Sequence, residues 1–337
     1  MVEKIDFVVT YLDGSDEKWA KERDSYRHVQ ADGTGHENGE SRYRNMDNFH
    51  FFLRAVEKYA PWVNKIHIVT WGHIPEWLNV NHPKINVVNH EDFIPKDYLP
   101  TFNSNAIEFS FDKIPGISEY FVNFNDDMFL NSKMEPTDFF VDGVPRLQIM
   151  HAPFMPSDPL FSSNTLALNK IVNAKPKYLF NSKMFSLKNG LFAVMANIYM
   201  APLLKYYGRF LGFREDHLPA PHTKSIYNQV REELPDYFEF VGKSKFRNSQ
   251  DIKSISHWLM LDYARATNQF VPINSFKLGR MINLGVDVNF EKLFKSNYKI
   301  LCLEDGDYVS EEDFDGIVET MNNAFLQKFP NKSEFEK

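Results

Sequence analysis

The sequence predicts an α/β protein: a Rossmann-like, doubly wound, mainly parallel sheet carrying a helical insertion. Three observations lead there. Short apolar runs of strand length alternate with segments of helical periodicity through the first 130 residues. Polar residues collect just beyond those runs, at Asp13, Gly72, His90 to Asp92, and Asp126 with Asp127. In open α/β sheets ligands bind outside the carboxyl ends of the strands. A third stretch, roughly 145 to 214, is different in kind and reads as an insertion.

Taken in order, KIDFVVTYL (4–12) is a buried strand that breaks at Asp13-Gly14. Residues 15–29 open with Ser and Asp and an acidic first turn, the signature of a helix start. Residues 30–41, polar and glycine-rich, read as a loop. Residues 46–60 set Phe49, Phe52, Leu53 and Val56 on one helical face. KIHIVTWG (65–72) is a second strand, and Ile85–Phe93 a third that ends in His90, Glu91 and Asp92. Residues 103–114 are helical, and YFVNFNDD (120–127) is another strand. The expected order is strand, helix, strand, short helix, strand, helix, strand.

From Lys170 to Arg214 there are eight Lys/Arg and no Asp or Glu, interleaved with Phe, Tyr, Leu and Met. Two readings stay open: a helical cap with a solvated basic face, or an interfacial patch that meets anionic lipid. Beyond it, 228–238 reads as a helix end, and 248–268 as a capped amphipathic helix carrying Ile252, Ile255, Trp258 and Leu259. Residues 270–288 suggest short strands and turns. Residues 310–330 form a last helix whose acidic first turn suits the helix dipole. Three segments follow: 1–145 and 215–337 as the two parts of the α/β core, and 146–214 as the helical insertion.

Bulk composition narrows the function. With 337 residues, 43% hydrophobic and 25% charged, the chain has ordinary globular values. A net charge of −7 argues against duplex nucleic acid as a partner. A single cysteine, Cys302, excludes an internal disulfide and suits a reducing compartment. The N-terminus has no signal-peptide pattern, and no uncharged apolar stretch is long enough to span a bilayer.

The strongest local candidate for chemistry is Asn125-Asp126-Asp127, two carboxylates interrupting an apolar run. Unpaired, they are costly to bury. At a strand end they suit Mg²⁺ or Mn²⁺ on a substrate phosphate, although an acidic turn or helix cap has the same look. Glu108 lies 19 residues upstream on a helix. REDHLPAPHTKS offers His217 and His222 among prolines, suited to a general base or a phosphate contact. Arg247 precedes a helix and can clamp phosphate. Alone, Glu108, His217, His222 and Arg247 each read more readily as surface residues. No phosphate-binding loop, dinucleotide fingerprint, zinc spacing or nucleophile elbow is present.

Together, several stretches resemble the conserved blocks of the Stealth family of sugar-phosphate transferases. DFVVTYLDGSD (6–16) resembles the first block, and residues 42–79 and 82–130 the second. Residues 217–252 resemble the third; LCLED (301–305) and the tail FPNKSEFEK (329–337) resemble the fourth. The resemblance implies transfer of a hexose-1-phosphate from a UDP-sugar to a sugar hydroxyl, with UMP released. It further implies a bacterial capsule or exopolysaccharide enzyme. The acceptor would be a lipid-linked oligosaccharide, met in the cytoplasm or at the inner face of the membrane; the resemblance does not extend over about 140–214, and contact through 170–214 is expected only on the interfacial reading of that stretch. The alternative is a metal-dependent UDP-sugar glycosyltransferase that releases UDP.

The resemblance carries catalytic roles onto Glu108, Asp127, His217 and Arg247. His217 would be a base or a phosphate-bearing nucleophile. Substrate contacts are expected at Asp13, Gly14, Arg44, Arg54, Asn103, Asn125 and His222. Asp126, Asp127 and Asp305 are expected to hold Mg²⁺ or Mn²⁺. The chain departs from the family pattern at Asn45, Asn105 and Glu304, where acidic, His and Asn residues are usual.

Overall fold

The structure is a computed structural model describing residues 4–27, 43–152, 159–247, 251–306 and 308–337. The loop expected at 30–41 lies outside the described residues. In chain order the elements are β1 (Ile5–Thr10), α1 (Glu17–Arg27), α2 (Phe49–Tyr59), β2 (Ile66–Thr70), β3 (Ile85–Asn89), α3 (Ser104–Glu108), β4 (Tyr120–Phe124) and β5 (Met128–Leu130). Next come α4 (Pro136–Phe139), β6 (Phe140–Val141), β7 (Val144–Leu147), α5 (Pro159–Ala174), α6 (Leu191–Tyr207), β8 (Ala220–Thr223), α7 (Lys224–Glu233), α8 (Pro235–Lys243) and α9 (Trp258–Ala266). The chain finishes with β9 (Val271–Pro272), α10 (Ser275–Leu278), β10 (Gly279–Asn283), α11 (Phe290–Phe294), β11 (Ile300–Glu304) and α12 (Glu311–Lys328).

The main sheet runs β3-β2-β1-β4-β8. Its first four strands are parallel and β8 is an antiparallel edge. β1 is central, and its IDFVVT is buried on both faces, as parallel sheets require. Alternation then deals its side chains to two cores. Phe7 and Val9 join one with Phe52, Val122 and Phe124; Val8 joins the other with Val69, Phe121 and Tyr227. Helix α2 belongs to the first core, and α7, α8 and α9 to the second. This is the expected doubly wound arrangement.

The apolar run at 120–130 is two strands, not one. β4 lies in the main sheet, while β5 pairs with β11 in a second, three-stranded sheet, β10-β11-β5. Asn125-Asp126-Asp127 is the turn between them, closed by Met128 N–H donating to Asn125 O at 3.1 Å. A third sheet, β6-β7-β9, joins residues on either side of the helical stretch.

Two expected elements differ. No helix stands between β2 and β3; Pro75 and Pro83 flank turns there, and the C-terminal tail fills the space. Asn79 N–H donates to Phe335 O and Lys337 N–H to Trp77 O, each at 2.8 Å. Of the helix expected over 248–268, residues 248–250 lie outside the described residues, and the described part is helical only in α9. Asn164 on α5 explains the late start: it exchanges hydrogen bonds with Ser256 N–H (3.0 Å) and Ser256 Oγ (2.9 Å), drawing that segment out of helical register. Likewise 228–238 divides into α7 and α8, where Pro235 cannot continue α7 and instead begins α8.

Candidate active site

A cleft of about 290 Å³ opens at the carboxyl ends of β1 to β4. Thr10 to Leu12, Val69 and Trp71, His90, and Asn125 to Asp127 line it, each at or just past one of those strands. Glu304 and Asp305 reach it from the end of β11. Glu108, Asp127, His217 and Arg247, far apart in sequence, all face this one cavity.

Local structure explains how each arrives. Glu108 closes α3, a short helix capped by Asn103, whose side chain accepts Asn105 N–H at 3.1 Å. The Asn103 amide also donates to Ser244 O (3.3 Å) and Phe246 O (3.2 Å), tying α3 to the segment that ends in Arg247. The Arg247 guanidinium donates to Ser104 Oγ from Nε at 3.2 Å and from Nη2 at 2.6 Å. Asn103 therefore sits beneath the cleft and positions Arg247 through backbone contacts.

His217 Nε2 lies 3.3 Å from Asn125 Nδ2 and 3.6 Å from Asp127 Oδ2. Desolvation alone would lower its pKa; the Asp127 hydrogen bond and charge, with Glu304, outweigh that and raise it. The imidazole is thus a stronger base than a free histidine. Burial drives Glu108 up to about 7, against the pull of Arg247 and His217. Asp126 stands open to the cleft; desolvation, then the Asp127 charge, push its pKa upward, and cleft water screens that shift. Behind Asp127, Cys302 Sγ donates to its Oδ2 at 3.3 Å.

The carboxylates present fit a hard divalent cation. Asp127 Oδ1 is buried without a hydrogen-bond partner, an acceptor oriented for something not supplied by the chain. Asp126 and Glu304 stand on the same cleft wall. One donor atom each from Asp127, His217 and Cys302 lie within 4.8 Å of one another, a further set able to hold a metal.

Several expected site residues lie outside the cleft or are engaged there by partners within the chain. Arg54, expected at the substrate, is a buried residue of α2 that does not line the cleft; its Nε and Nη2 fork onto Glu336 at 2.8 and 2.7 Å and its Nη1 donates to Phe329 O. It anchors the C-terminal tail. His222 is fully buried on β8 and contacts His257, 3.1 Å between ring nitrogens; His257 in turn lies 4.0 Å from Glu108. Both oxygens of Asp305 accept from Arg44 at 2.9 Å, and Arg44 also reaches Glu311, Val309 O and Gly306 O. The two residues line the cleft but satisfy each other, which leaves Asp305 a poor cation ligand and Arg44 a poor substrate contact. Asp13 and Gly14 lie just outside it. Asp13 builds a turn by accepting Ser15 N–H and Oγ–H. Gly14 lets Tyr43 approach: a Cβ there would fall 1.9 Å from Tyr43 O.

The cleft also has residues that motif reading passed over. Trp19, Tyr43, Trp71 and Phe102 form an aromatic wall, with Trp19 in edge contact with Tyr43 (5.1 Å) and Phe102 (6.1 Å). His90 lies at its base, its pKa lowered by burial to about 4, so that it is neutral. Trp71 directly follows β2, so the strand-end rule applied to apolar as well as polar residues would have found it; His90, just past β3, is among the polar residues that rule picks out. Glu304 and Asn45, set aside as departures from the family pattern, both line the cleft.

Residues 42–147 match the model of the Stealth protein conserved region 2. The capsular polysaccharide phosphotransferase WcwK of Streptococcus pneumoniae is 38% identical over all of both chains. The exopolysaccharide phosphotransferase cps2G of Lactiplantibacillus plantarum is 36% identical over 99% of this chain and 96% of its own. Among solved structures, the galactosyltransferase LgtC aligns over 94% of this chain and 95% of its own, at 13% identity and a TM-score of 0.34, too low to bear on mechanism. With full-length relatives above 30% identity and its second conserved region matched, the chain belongs to the Stealth family.

Proposed function

We propose that this protein transfers a hexose-1-phosphate from a UDP-sugar to a sugar hydroxyl of a lipid-linked capsule or exopolysaccharide precursor, releasing UMP. The observation that carries the reading is the convergence of Glu108, Asp127, His217 and Arg247 in one cleft at the strand ends. The relatives are polysaccharide phosphotransferases by name, which supports the same reaction type.

The acceptor hydroxyl oxygen attacks the phosphorus that bears the sugar. Its proton passes to His217 Nε2, and the imidazolium so formed is stabilised by Asp127 beside it. The bond from that phosphorus to the bridging oxygen breaks, and the oxygen leaves with UMP; the sugar keeps its anomeric C–O bond. Arg247, held by Ser104, meets charge on the transferred phosphate. Glu108, its pKa raised, presents a protonated oxygen to the sugar or to His217 for part of its population at neutral pH. Tyr43 and Trp71, the half-buried members of the aromatic wall, offer flat faces for the uracil ring. Mg²⁺ or Mn²⁺, held by Asp127 with Asp126 or Glu304, would neutralise the diphosphate.

The deciding experiment is a product assay with a panel of UDP-sugars, Mg²⁺ or Mn²⁺, and a lipid-linked acceptor. UMP and a sugar phosphodiester are expected. UDP with a glycoside would make the protein a glycosyltransferase, and no turnover of any UDP-sugar would leave a carbohydrate-binding protein; either overturns the proposal.

A further inference from the structure

Helix α6 breaks the usual rule for a surface helix. Its 17 residues contain a single charge, Lys205. Ala193, Val194, Met200 and Leu204 face inward, yet the outer face is apolar as well. Leu191 is 71% exposed, Phe192 63% and Tyr199 75%, with Met195, Ile198, Tyr206 and Tyr207 beside them. A helix apolar all round belongs in a core or against a membrane.

The exposure is not that of a displaced helix. Asn197, fully buried, accepts His151 N–H and donates to Ile149 O and Met184 O, all at 2.8 Å. Asn189, just before the helix, accepts Ile149 N–H at 3.0 Å. The inner face is locked and the outer one left open.

Charge identifies the occupant. Residues 170–214 hold eight of the chain's 38 Lys/Arg and none of its 45 Asp/Glu. Lys170, Lys175 and Arg214 pair with Asp236, Glu233 and Asp216. Lys188 stands before the first turn of α6, and Lys205 and Arg209 at and beyond its last. Among the described residues no ion pair involves these three. Aromatic and aliphatic side chains bracketed by cations suit the boundary between acyl chains and anionic headgroups. A protein partner would be expected to leave some acidic rim. No described helix is long and apolar enough to cross a membrane, so the contact lies in the plane.

We propose that the outer face of α6, flanked by Lys188, Lys205 and Arg209, docks this protein on an anionic lipid surface. The inference deepens the lipid-linked acceptor of the reaction above and rests on it for its purpose; the binding itself is measured without turnover. The patch also connects to the site. Phe192 packs edge-on against Phe276 (5.8 Å), and the Arg214 guanidinium lies over the same ring at 4.5 Å. Asp216, next to His217, accepts a hydrogen bond from Ser275. The loop carrying His217 thus begins at the edge of the docking face.

The test is co-sedimentation of the full chain with vesicles of phosphatidylcholine alone or with about one-third phosphatidylglycerol. Binding is expected only to the anionic vesicles, and to weaken with salt. The double variant Phe192→Glu with Ile198→Glu should lose at least about tenfold in affinity. The triple reversal Lys188→Glu, Lys205→Glu, Arg209→Glu, at three exposed positions, should lose as much, and guards against a folding defect in the first. UMP release onto a soluble acceptor is measured in parallel and should be unchanged in both. Equal binding to neutral vesicles, no binding to either, or a dimer of the wild-type chain dispersed by Phe192→Glu with Ile198→Glu would overturn the proposal, whatever the turnover assay shows.

Discussion

The main sheet has a polar cluster at each end, and the two are built differently. At the amino ends of the strands, Asp6 Oδ1 accepts from the Asn64 amide (2.6 Å), and Oδ2 accepts Ser118 N–H (2.7 Å) and faces His67 Nε2 (3.1 Å). The other nitrogen of His67 lies 2.8 Å from the Asn86 amide. Asp6 and His67 are fully buried and every polar atom of the pair is matched. At the carboxyl ends, Asp127 Oδ1 and His90 Nδ1 are buried and unmatched, and Glu108 is held in a desolvated site. Burying a carboxylate is expensive at either end. One end offsets the cost internally, and the other leaves it for a ligand to offset. Satisfaction, more than burial or charge, separates the structural cluster from the candidate chemical one.

That contrast is tested most sharply by exchanging the loss. His217→Ala and Asp127→Ala should each reduce turnover by about 10²–10⁴-fold, with the melting temperature almost unchanged. Wild-type rates in both would remove the chemical assignment of the upper cluster. Asp6→Ala should do the reverse. It leaves His67, Asn64 and Ser118 N–H without their acceptor in the core, costing about 3 kcal/mol in denaturant unfolding. Turnover per folded molecule should stay at the wild-type level. A catalytic collapse there, with stability intact, would erase the distinction.

Acid should probe the Asp6 cluster at the amino ends of the strands, together with the Arg54–Glu336 anchor of the tail. Desolvation favours protonated Asp6, but His67, Asn64 and Ser118 outweigh it, and the folded pKa is lowered from 3.8. A lowered folded value gives stability that is fully present above the unfolded pKa and is lost as pH falls through the folded one. Glu336 behaves alike: the Arg54 fork and Ser333 overcome desolvation and hold it below 4.5. The melting temperature should therefore fall below about pH 4, less steeply in Asp6→Asn. An acid limb unchanged in Asp6→Asn would show that the cluster carries no linkage.

Much of this was legible in the chain, and the limits have physical causes. β1 to β4 were plain because strands buried on both faces read as unbroken apolar runs. The four cleft residues were found through the family resemblance, and Asn125 to Asp127 also through charge interrupting such a run. Arg54 and Asp305 could not be sorted in advance, because their partners, Glu336 and Arg44, lie 282 and 261 positions away. Ion pairs over such separations leave no local signal. The aromatic wall was hidden for a different reason: Trp19 on a helix and Phe102 in a loop look the same whether they face a core or a cleft.

Cys302 is the case that falls between the two clusters. It lies at the upper end of the molecule, beside Asp127, yet it is fully buried and its thiol has a partner. Burial first, then the Asp127 charge, push the thiol pKa well up, so at neutral pH it is a protonated, weak donor and no nucleophile. If satisfaction is the right criterion, Cys302 belongs with the structural groups. Cys302→Ala should then cost about 1 kcal/mol of stability for one weak hydrogen bond and a small void. Turnover should remain within about fivefold of wild type, since Asp127 retains His217, itself beside Asn125, and Leu303 N–H still holds its backbone at 2.8 Å. A loss on the scale of His217→Ala would place the thiol among the reacting or metal-holding groups instead. The matched end and the unmatched end would then no longer divide structure from chemistry.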